Sequence, residues 1–492
     1  MAKTTKKAAK KTAPKTKKAA PKKTAAKKAP AKKAPAKKAA KKSPAPAGDQ
    51  ALIRKLKSNA AAERKKLGRL GILMVGVNGA IATTVRVGIE LFKKGLYPVD
   101  ERQGMLAETG TIRVGARDTY TNIKDIVPVA DFKDMVVGGW DINKMDAYQA
   151  ARFANVLDPA LIDKVKKELS GKKAMPGYFD KGYIMNLDAE IQIKAKTKWD
   201  AAKQIIKDIE KFKKDNRCDR CVVLYVGSTE RYHGEEKVHT SIAEFEKGLK
   251  SNHKGISPGM MYAYAALTTG SAHHNFSPSL CCETPALREL ARKNGVPFSG
   301  NDGKTGQTWF KSVVMPGFKG KELNVQGWAS NNWIGNKDGL VLDEPGSFET
   351  KKRSKQNQAE NILGYGIEQP VLISYYKIAG DEKHALDRID FQGFLGYHMI
   401  IDVSFFCRDS ILAAPMVIDL ARFLDFAKRR NMAGVQEWLS LYSKSPVPAP
   451  GTTVEHDFFV QREKFENTIR HLVGAPLITH LGQEHWARAQ EA

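Results

Sequence analysis

A short apolar run, Gly71-Ile-Leu-Met-Val75, leads straight into Gly76-Val77-Asn78-Gly79-Ala80 and then into a segment where Val85, Gly88, Ile89 and Phe92 recur at helical spacing. The order predicts a buried strand, a glycine turn and a helix. That unit brings backbone N–H groups and a helix N-terminus up to a pyrophosphate, and it commits its part of the chain to a parallel α/β sheet. The glycines follow G-x-x-G rather than G-x-G-x-x-G, and no acid about 20 residues on stands out as a ribose ligand. The turn alone therefore leaves a tight connection without a ligand open.

A second unit of the same kind follows. Trp199, Ala202, Ile205, Ile206, Ile209 and Phe212 line one face of a lysine-rich helix. The buried-type strand Cys221-Val-Val-Leu-Tyr-Val226 comes next, and then the polar run Gly227-Ser228-Thr229-Glu230-Arg231. Polar residues just past the carboxyl end of such a strand stand where α/β sheets hold ligands. Cys218 and Cys221 form a CxxC with no second pair at zinc spacing, so they read as structural cysteines.

The charge is uneven. Residues 1–47 contain eighteen lysines, no arginine and no acid, which leaves about +10 of the net +28 for residues 48–492. Built from Lys, Ala, Pro and Thr without apolar periodicity, this tail is expected to be disordered. Its composition resembles the tails of linker histones and suits non-specific contact with DNA or another polyanion. No stretch approaches the ~20 apolar residues of a membrane helix. The charged N-terminus has no apolar segment behind it, unlike a secretory signal. Five cysteines in 492 residues cannot form a disulfide framework. The expectation is a soluble cytoplasmic protein with no membrane partner, nucleoid-associated if the tail engages DNA.

The middle of the chain is rich in glycine, asparagine and lysine. Gly300-Asn301-Asp302-Gly303-Lys304-Thr305-Gly306-Gln307-Thr308 suits neither a buried strand nor a stable helix, but can fold into a nest of N–H donors for an oxyanion. Ser330-Asn331-Asn332-Trp333-Ile334-Gly335-Asn336-Lys337-Asp338-Gly339 forms another such loop. Lys351 and Lys355 are four apart, which on a helix puts both ammonium groups on one face, and Lys383 follows. Singly, each loop reads as a surface turn and each lysine as a solvated side chain; their density argues for a site.

These segments, together with VVGGWDI at 136–142 and DSILAAPMVIDLARF at 409–423, resemble the inositol-1-phosphate synthase family, nearest to its archaeal and bacterial forms, from about Gly71 to Gly474. The resemblance implies an α/β fold: a Rossmann-type NAD-binding domain (65–262), an inserted α+β catalytic and tetramerisation domain (263–397) and a C-terminal return (398–492), behind the disordered basic tail (1–48). It implies cyclisation of D-glucose 6-phosphate to inositol 1-phosphate, which feeds inositol phospholipids. Hydride leaves carbon 5 for NAD, carbon 6 is enolised, the enolate attacks the carbon-1 aldehyde, and the hydride returns. The transient enolate and alkoxide need fixed positive charge.

By motif position, the resemblance puts Lys351, Lys355, Lys383, Asp302, Asp338 and Asp409 in the catalytic centre. Thr305, Gly306, Gln307, Thr308 and Asn332 would hold the substrate phosphate. Gly76, Val77, Asn78, Gly79, Asp141, Ser228 and Thr229 would contact the cofactor. A further family lysine is expected before the last helix, where Arg462 stands, with Lys464 two residues on. Arginine keeps charge but cannot serve as a base. No histidine-rich ligand set marks a metal, although a hydrated divalent ion held by acids and cofactor phosphate would leave little trace. The same fold also admits a simple NAD-dependent sugar-phosphate dehydrogenase, and the tail admits a nucleic-acid-associated protein with a degenerate enzyme body.

Overall fold

A computed structural model describes residues 47–98, 101–115, 119–355 and 358–478, without the Lys355 side chain. The lysine-rich tail lies outside the described residues. Thirteen strands occur among them: β1 (Leu70–Val75), β2 (Thr111–Arg113), β3 (Tyr120–Asn122), β4 (Met135–Asp141), β5 (Met175–Pro176), β6 (Arg220–Tyr225), β7 (Ala272–Asn275), β8 (Pro297–Gly300), β9 (Asn324–Ile334), β10 (Val371–Tyr375), β11 (Glu382–Gln392), β12 (His398–Arg408) and β13 (Gly434–Val435). β2 and β3 form a small hairpin.

The first large sheet has the order β13-β8-β7-β6-β1-β4-β5 and is parallel throughout. β1, and β6 after its first residue Arg220, are apolar and fully or almost fully buried, as strands covered on both faces must be. The chain builds outward from β1 through β4 to β5, then returns to the other side of β1 with β6. This reversal opens a crevice at the carboxyl ends of β1 and β6, the place where such sheets take ligands.

Two apolar layers cover this sheet. On one side the helix Asp409–Arg429 packs against the helix Ala80–Lys93 and across β6 and β7. On the other, the helix Pro258–Thr268 is apolar all round, buried along almost its whole length and started by Ser257, whose side chain accepts from the Met260 amide. The long helix at 409–429 also buries charge. Arg422 pairs with Glu108 at 2.9 Å, and Asp419 accepts from the amides of Leu106 and Ala107 and the Tyr442 hydroxyl.

The second large sheet has the order β10-β9-β11-β12, with β10 parallel to β9 and the other pairs antiparallel. Its core is Met315, Phe318, Trp328, Ile362, Ile389 and Phe391. Sheet membership changes between β8 and β9, and again after β12, rather than at 262/263 and 397/398. β7 (AHHN) and β8 (PFSG) belong to the parallel sheet but lack the aliphatic run that makes β1 and β6 recognisable. β12 belongs to the second sheet and feeds directly into the helix Asp409–Arg429.

Candidate functional site

The turn after β1 is tied down on one side and open on the other. The amides of Gly76 and Val77 donate to the Trp140 carbonyl of β4 at 2.8 and 3.1 Å. Gly76 has φ +82°, and a Cβ there would meet the Gly227 backbone at 3.1 Å, so this crossing of the two loops favours glycine. No side chain caps the helix Ala80–Lys93 at its start, and Gly76, Asn78, Gly79, Ala80 and Ile81 line a cavity of about 520 Å³. Ser228 and Thr229, past β6, face the same space. The Val77 side chain is buried instead in the apolar core.

Asp141 ends β4, beside β1, and also lines the cavity. Its carboxylate accepts from the amides of Asn78 (2.8 Å) and Asn143 (2.9 Å). Burial pushes its pKa up against those bonds. An acid does therefore stand at the end of the neighbouring strand, but more than sixty residues after the glycine turn because an α/β excursion separates β1 from β4. That spacing is about three times the ~20 residues at which a ribose-binding acid usually follows such a turn.

Charged residues converge on the same cavity. The loop after β8 is zipped to the segment 442–447: Asn301 N donates to the Ser445 carbonyl, Lys304 N to Tyr442, Lys444 N to Asp302 and Val447 N to Gly300, all at 2.6–2.9 Å. This ladder sets the Lys444 side chain beside Asp302. Asp302 Oδ1 receives Lys351 Nζ at 3.0 Å and Lys444 Nζ at 3.1 Å, while Oδ2 accepts the Ser354 hydroxyl at 2.8 Å. Asp409 takes Thr305 Oγ1 at 2.7 Å and lies 3.7 Å from Lys383 Nζ. Lys351, Lys444, Asp338 and Asp409 line both the large cavity and a small adjoining recess, which Lys383, Gln307, Thr308 and Asn332 complete.

Each side chain arrives on a definite element. Lys351 is on the helix Pro345–Lys355 and Lys383 is the second residue of β11, opposite Ile334 and Cys407 of its neighbours. Asp409 starts the long helix that returns to the parallel sheet. Asp338 sits in the first turn of the helix Lys337–Leu342, which Asn336 caps through the Asp338 and Gly339 amides. Asn336 is itself held by Asp381, which also takes the Ser410 hydroxyl beside Asp409.

The electrostatics differ from lysine to lysine. Burial lowers Lys351, but Asp302, Asp338 and Asp409 overcome it and hold the amine firmly charged. Burial also lowers Lys444, and with Lys351 and Lys383 close by Asp302 recovers too little, so its pKa falls to about 8. Both acids are buried, yet Lys351 and Lys444 hold the Asp302 carboxyl far below the usual range, and Lys383, Lys444 and Thr305 hold Asp409 at about 2.

The structure brings together most of the residues singled out from sequence, but not all in the expected manner. The Gln307 amide donates to Asp387 at 3.0 and 2.9 Å and accepts from Asn332 Nδ2 at 2.9 Å, so its side chain locks the second sheet to the loop. Gly306 precedes the helix Gln307–Gly320, which has no side-chain cap; its first residues Gln307 and Thr308 face the recess. The Lys355 side chain lies outside the described residues. Arg462 does not reach the site: on the helix Phe458–Val473 it pairs with Glu466 and donates to the Thr111 carbonyl, each at 2.8 Å. The second lysine on Asp302, beside Lys351, is Lys444, in a loop with no apolar period or glycine signature to flag it. Ser354 and Asp381 were likewise invisible as isolated polar residues.

A family model described as myo-inositol-1-phosphate synthase matches residues 70–470. The chain is 43% identical over 417 residues to inositol-3-phosphate synthase 1 of Bacteroides thetaiotaomicron, covering 83% of this chain and 96% of that one. It is 29% identical over 462 residues to the inositol-3-phosphate synthase of Saccharomyces cerevisiae, covering 84% and 86%. The crystal structure of inositol-3-phosphate synthase from Caenorhabditis elegans superposes with a TM-score of 0.78 at 27% identity, covering 85% of this chain and 88% of that one.

Proposed function

The chain belongs to the myo-inositol-1-phosphate synthase family, and we propose that its lysine cluster is where D-glucose 6-phosphate is cyclised. The enzyme is an NAD-dependent isomerase that makes inositol phosphate from glucose 6-phosphate. The observation that carries the assignment of the site is the meeting of Lys351, Lys383 and Lys444 with Asp302 and Asp409 where the crevice and the recess join.

The residues around the β1 turn fit a dinucleotide. The turn crosses the Gly227 backbone closely at Gly76, which has a positive φ, an uncapped helix start faces the cavity, and the Asp141 carboxylate stands at the next strand end. Gly76, Asn78, Gly79, Ser228 and Thr229 would hold NAD, with Asp141 at the ribose. When bound, NAD supplies removal of hydride at carbon 5 and its return after ring closure.

On this reading Lys351, fixed in its charged form, stabilises the enolate and alkoxide oxygens as they develop. Lys444 is the amine placed to move the carbon-6 proton, because its lowered pKa leaves a neutral fraction near neutrality. Asp302 spaces these two amines. Lys383, Thr308 and the first amides of the helix Gln307–Gly320 form the cationic, N–H-rich end that suits the substrate phosphate. Lys355 belongs to the same proposed set by its motif position, as do Asp338 and Asp409, which balance the charge.

The catalytic unit is assigned to the second large sheet with the loops flanking it, inserted between β8 and the helix Asp409–Arg429. Assembly as a homotetramer is supported by the outer strand β12, where Met399, Ile400, Ile401 and Phe406 are exposed, beside Phe394 and Leu395 at 87% and 77% exposure. Light scattering on purified protein tests it. No described helix is long and apolar enough to cross a membrane. The eighteen tail lysines support non-specific DNA contact in the cytoplasm, which deletion of residues 1–47 should abolish.

The decisive experiment supplies glucose 6-phosphate with NAD at a small fraction of the substrate. Many turnovers of inositol phosphate without lasting NADH absorbance are expected. Stoichiometric accumulation of NADH would make the protein a dehydrogenase and overturn the reading.

A further inference from the structure

Away from the lysine cluster, β7 and the loop after it carry three soft-metal ligands that the proposed reaction does not use. His273 lies on β7, and Cys281 and Cys282 follow in the loop leading to the helix Pro285–Lys293. All three are buried, at no more than 1% exposure. His273 Nε2 stands 3.6 Å from Cys281 Sγ, and one ring nitrogen and both sulfurs lie within 4.8 Å of one another. Met260, Ala263, Ala286 and Leu287 belong to the same apolar cluster.

Burial alone says little, since free cysteine is among the most buried residue types. The histidine says more. Nε2 faces sulfur, and Nδ1 has no hydrogen-bond partner among the described residues. Nε2 is the nitrogen turned to the thiols, its partner the weak acceptor or donor Cys281 Sγ, and it is therefore the atom an ion could share with both sulfurs.

We propose that His273, Cys281 and Cys282 bind one zinc ion. The two thiols would each release a proton as the Zn–S bonds form, and the imidazole would bind neutral, so Zn²⁺ and two thiolates sum to zero charge. That balance suits a dry site, whereas Cu⁺ with the same ligands would leave a net negative charge. The three side chains would fill three of zinc's four positions, and bonds of about 2.3 Å to sulfur and about 2.0 Å to nitrogen bring ligand atoms within about 4 Å of each other, a spacing the His273–Cys281 pair already has. A Cys281–Cys282 disulfide fits worse: adjacent Cα atoms are about 3.8 Å apart, short of the usual lower limit of about 4.4 Å.

The ion would have a structural consequence for the site. Glu283, next to Cys282, accepts from Asn301 Nδ2 at 2.6 Å, and Asn301 directly precedes Asp302. Fixing the Cys281–Cys282 loop braces the turn that presents Asp302, which makes zinc a positioning element rather than a participant.

The test uses the full chain, purified under reducing conditions and supplied with one equivalent of zinc before gel filtration. One zinc retained per chain is expected, with X-ray absorption showing sulfur at about 2.3 Å and nitrogen at about 2.0 Å. Retention should survive Asp338→Asn, which alters the lysine site, and be lost in Cys282→Ser. Zinc-free protein, zinc with only oxygen and nitrogen neighbours, or undiminished zinc in folded Cys282→Ser would each overturn the proposal. Because Cys282→Ser could fail to fold, the same unmutated protein loaded with cobalt provides a second reading. Thiolate-to-cobalt charge transfer is expected, and its absence counts against the site.

Discussion

Asp302 and Lys444, separated by 142 positions in the chain, are joined at 3.1 Å by a side-chain hydrogen bond and tied again through their backbones, Lys444 N to Asp302 O at 2.6 Å. Lys351 uses the same carboxylate oxygen. Asp302→Asn leaves these two buried amines without their shared counter-charge. Breaking a buried pair from one side costs about 3–5 kcal/mol, so urea unfolding should register a loss of that order. Inositol phosphate formation should fall by about 100-fold or more, the scale of losing one preorganised electrostatic group. Affinity for NAD should change little, because the Asp302 carboxylate is bonded to Lys351, Lys444 and Ser354 rather than to the glycine turn.

The lowered pKa of Lys444 gives turnover a defined pH dependence. Below about 8 the amine is protonated, and above it the neutral form able to accept a proton predominates. kcat should therefore rise with pH and level off above that value. Lys444→Arg keeps the charge throughout and removes the base, so the limb should vanish and kcat fall by about 100- to 10,000-fold. A wild-type profile without this limb would take proton transfer away from Lys444.

Much of this arrangement is legible in the sequence. β1 and β6 announce themselves by unbroken aliphatic runs, and the glycine turn between β1 and its helix follows from the spacing of Gly76 and Gly79. The Asp302 and Asp338 loops stand out because so many glycines, asparagines and hydroxyls cannot be buried as regular structure. Residues defined by long-range pairing were hidden. Lys444 reaches Asp302 through a backbone ladder between distant loops, and β7 and β8 are strands through their partners rather than their composition; Asp141, which only motif position marks, becomes a neighbour of the glycine turn when β4 pairs with β1.

Arg462 illustrates the converse, a residue whose linear position suggested the site. Its guanidinium is bound to Glu466 and to the Thr111 carbonyl, linking the C-terminal helix to the β2–β3 hairpin. Arg462→Ala should leave kcat and KM within about twofold and lower stability by about 1 kcal/mol, the order of a partly exposed ion pair with an added hydrogen bond. A thermal melt beside a steady-state assay checks both. A hundredfold loss of kcat in a stably folded variant would return Arg462 to the catalytic set.

Lys383 offers the sharpest separation of substrate chemistry from cofactor binding. It lines the recess rather than the dinucleotide cavity, and its recorded ion pair is with Asp409 at 3.7 Å. Lys383→Ala removes a cation from the end proposed for the sugar phosphate while leaving the β1 turn, Asp141 and Thr229 untouched. Turnover should drop by about 1,000-fold, since lost charge stabilisation and lost phosphate positioning act on the same step. The Kd for NAD, measured by calorimetry, should stay within about threefold. Lys383→Arg should recover part of the phosphate affinity, visible as a lower KM than in Lys383→Ala, without restoring kcat. Activity near wild type in the alanine variant would remove Lys383 from the site. An equal loss of NAD affinity would show that the recess and the crevice are one binding unit rather than two.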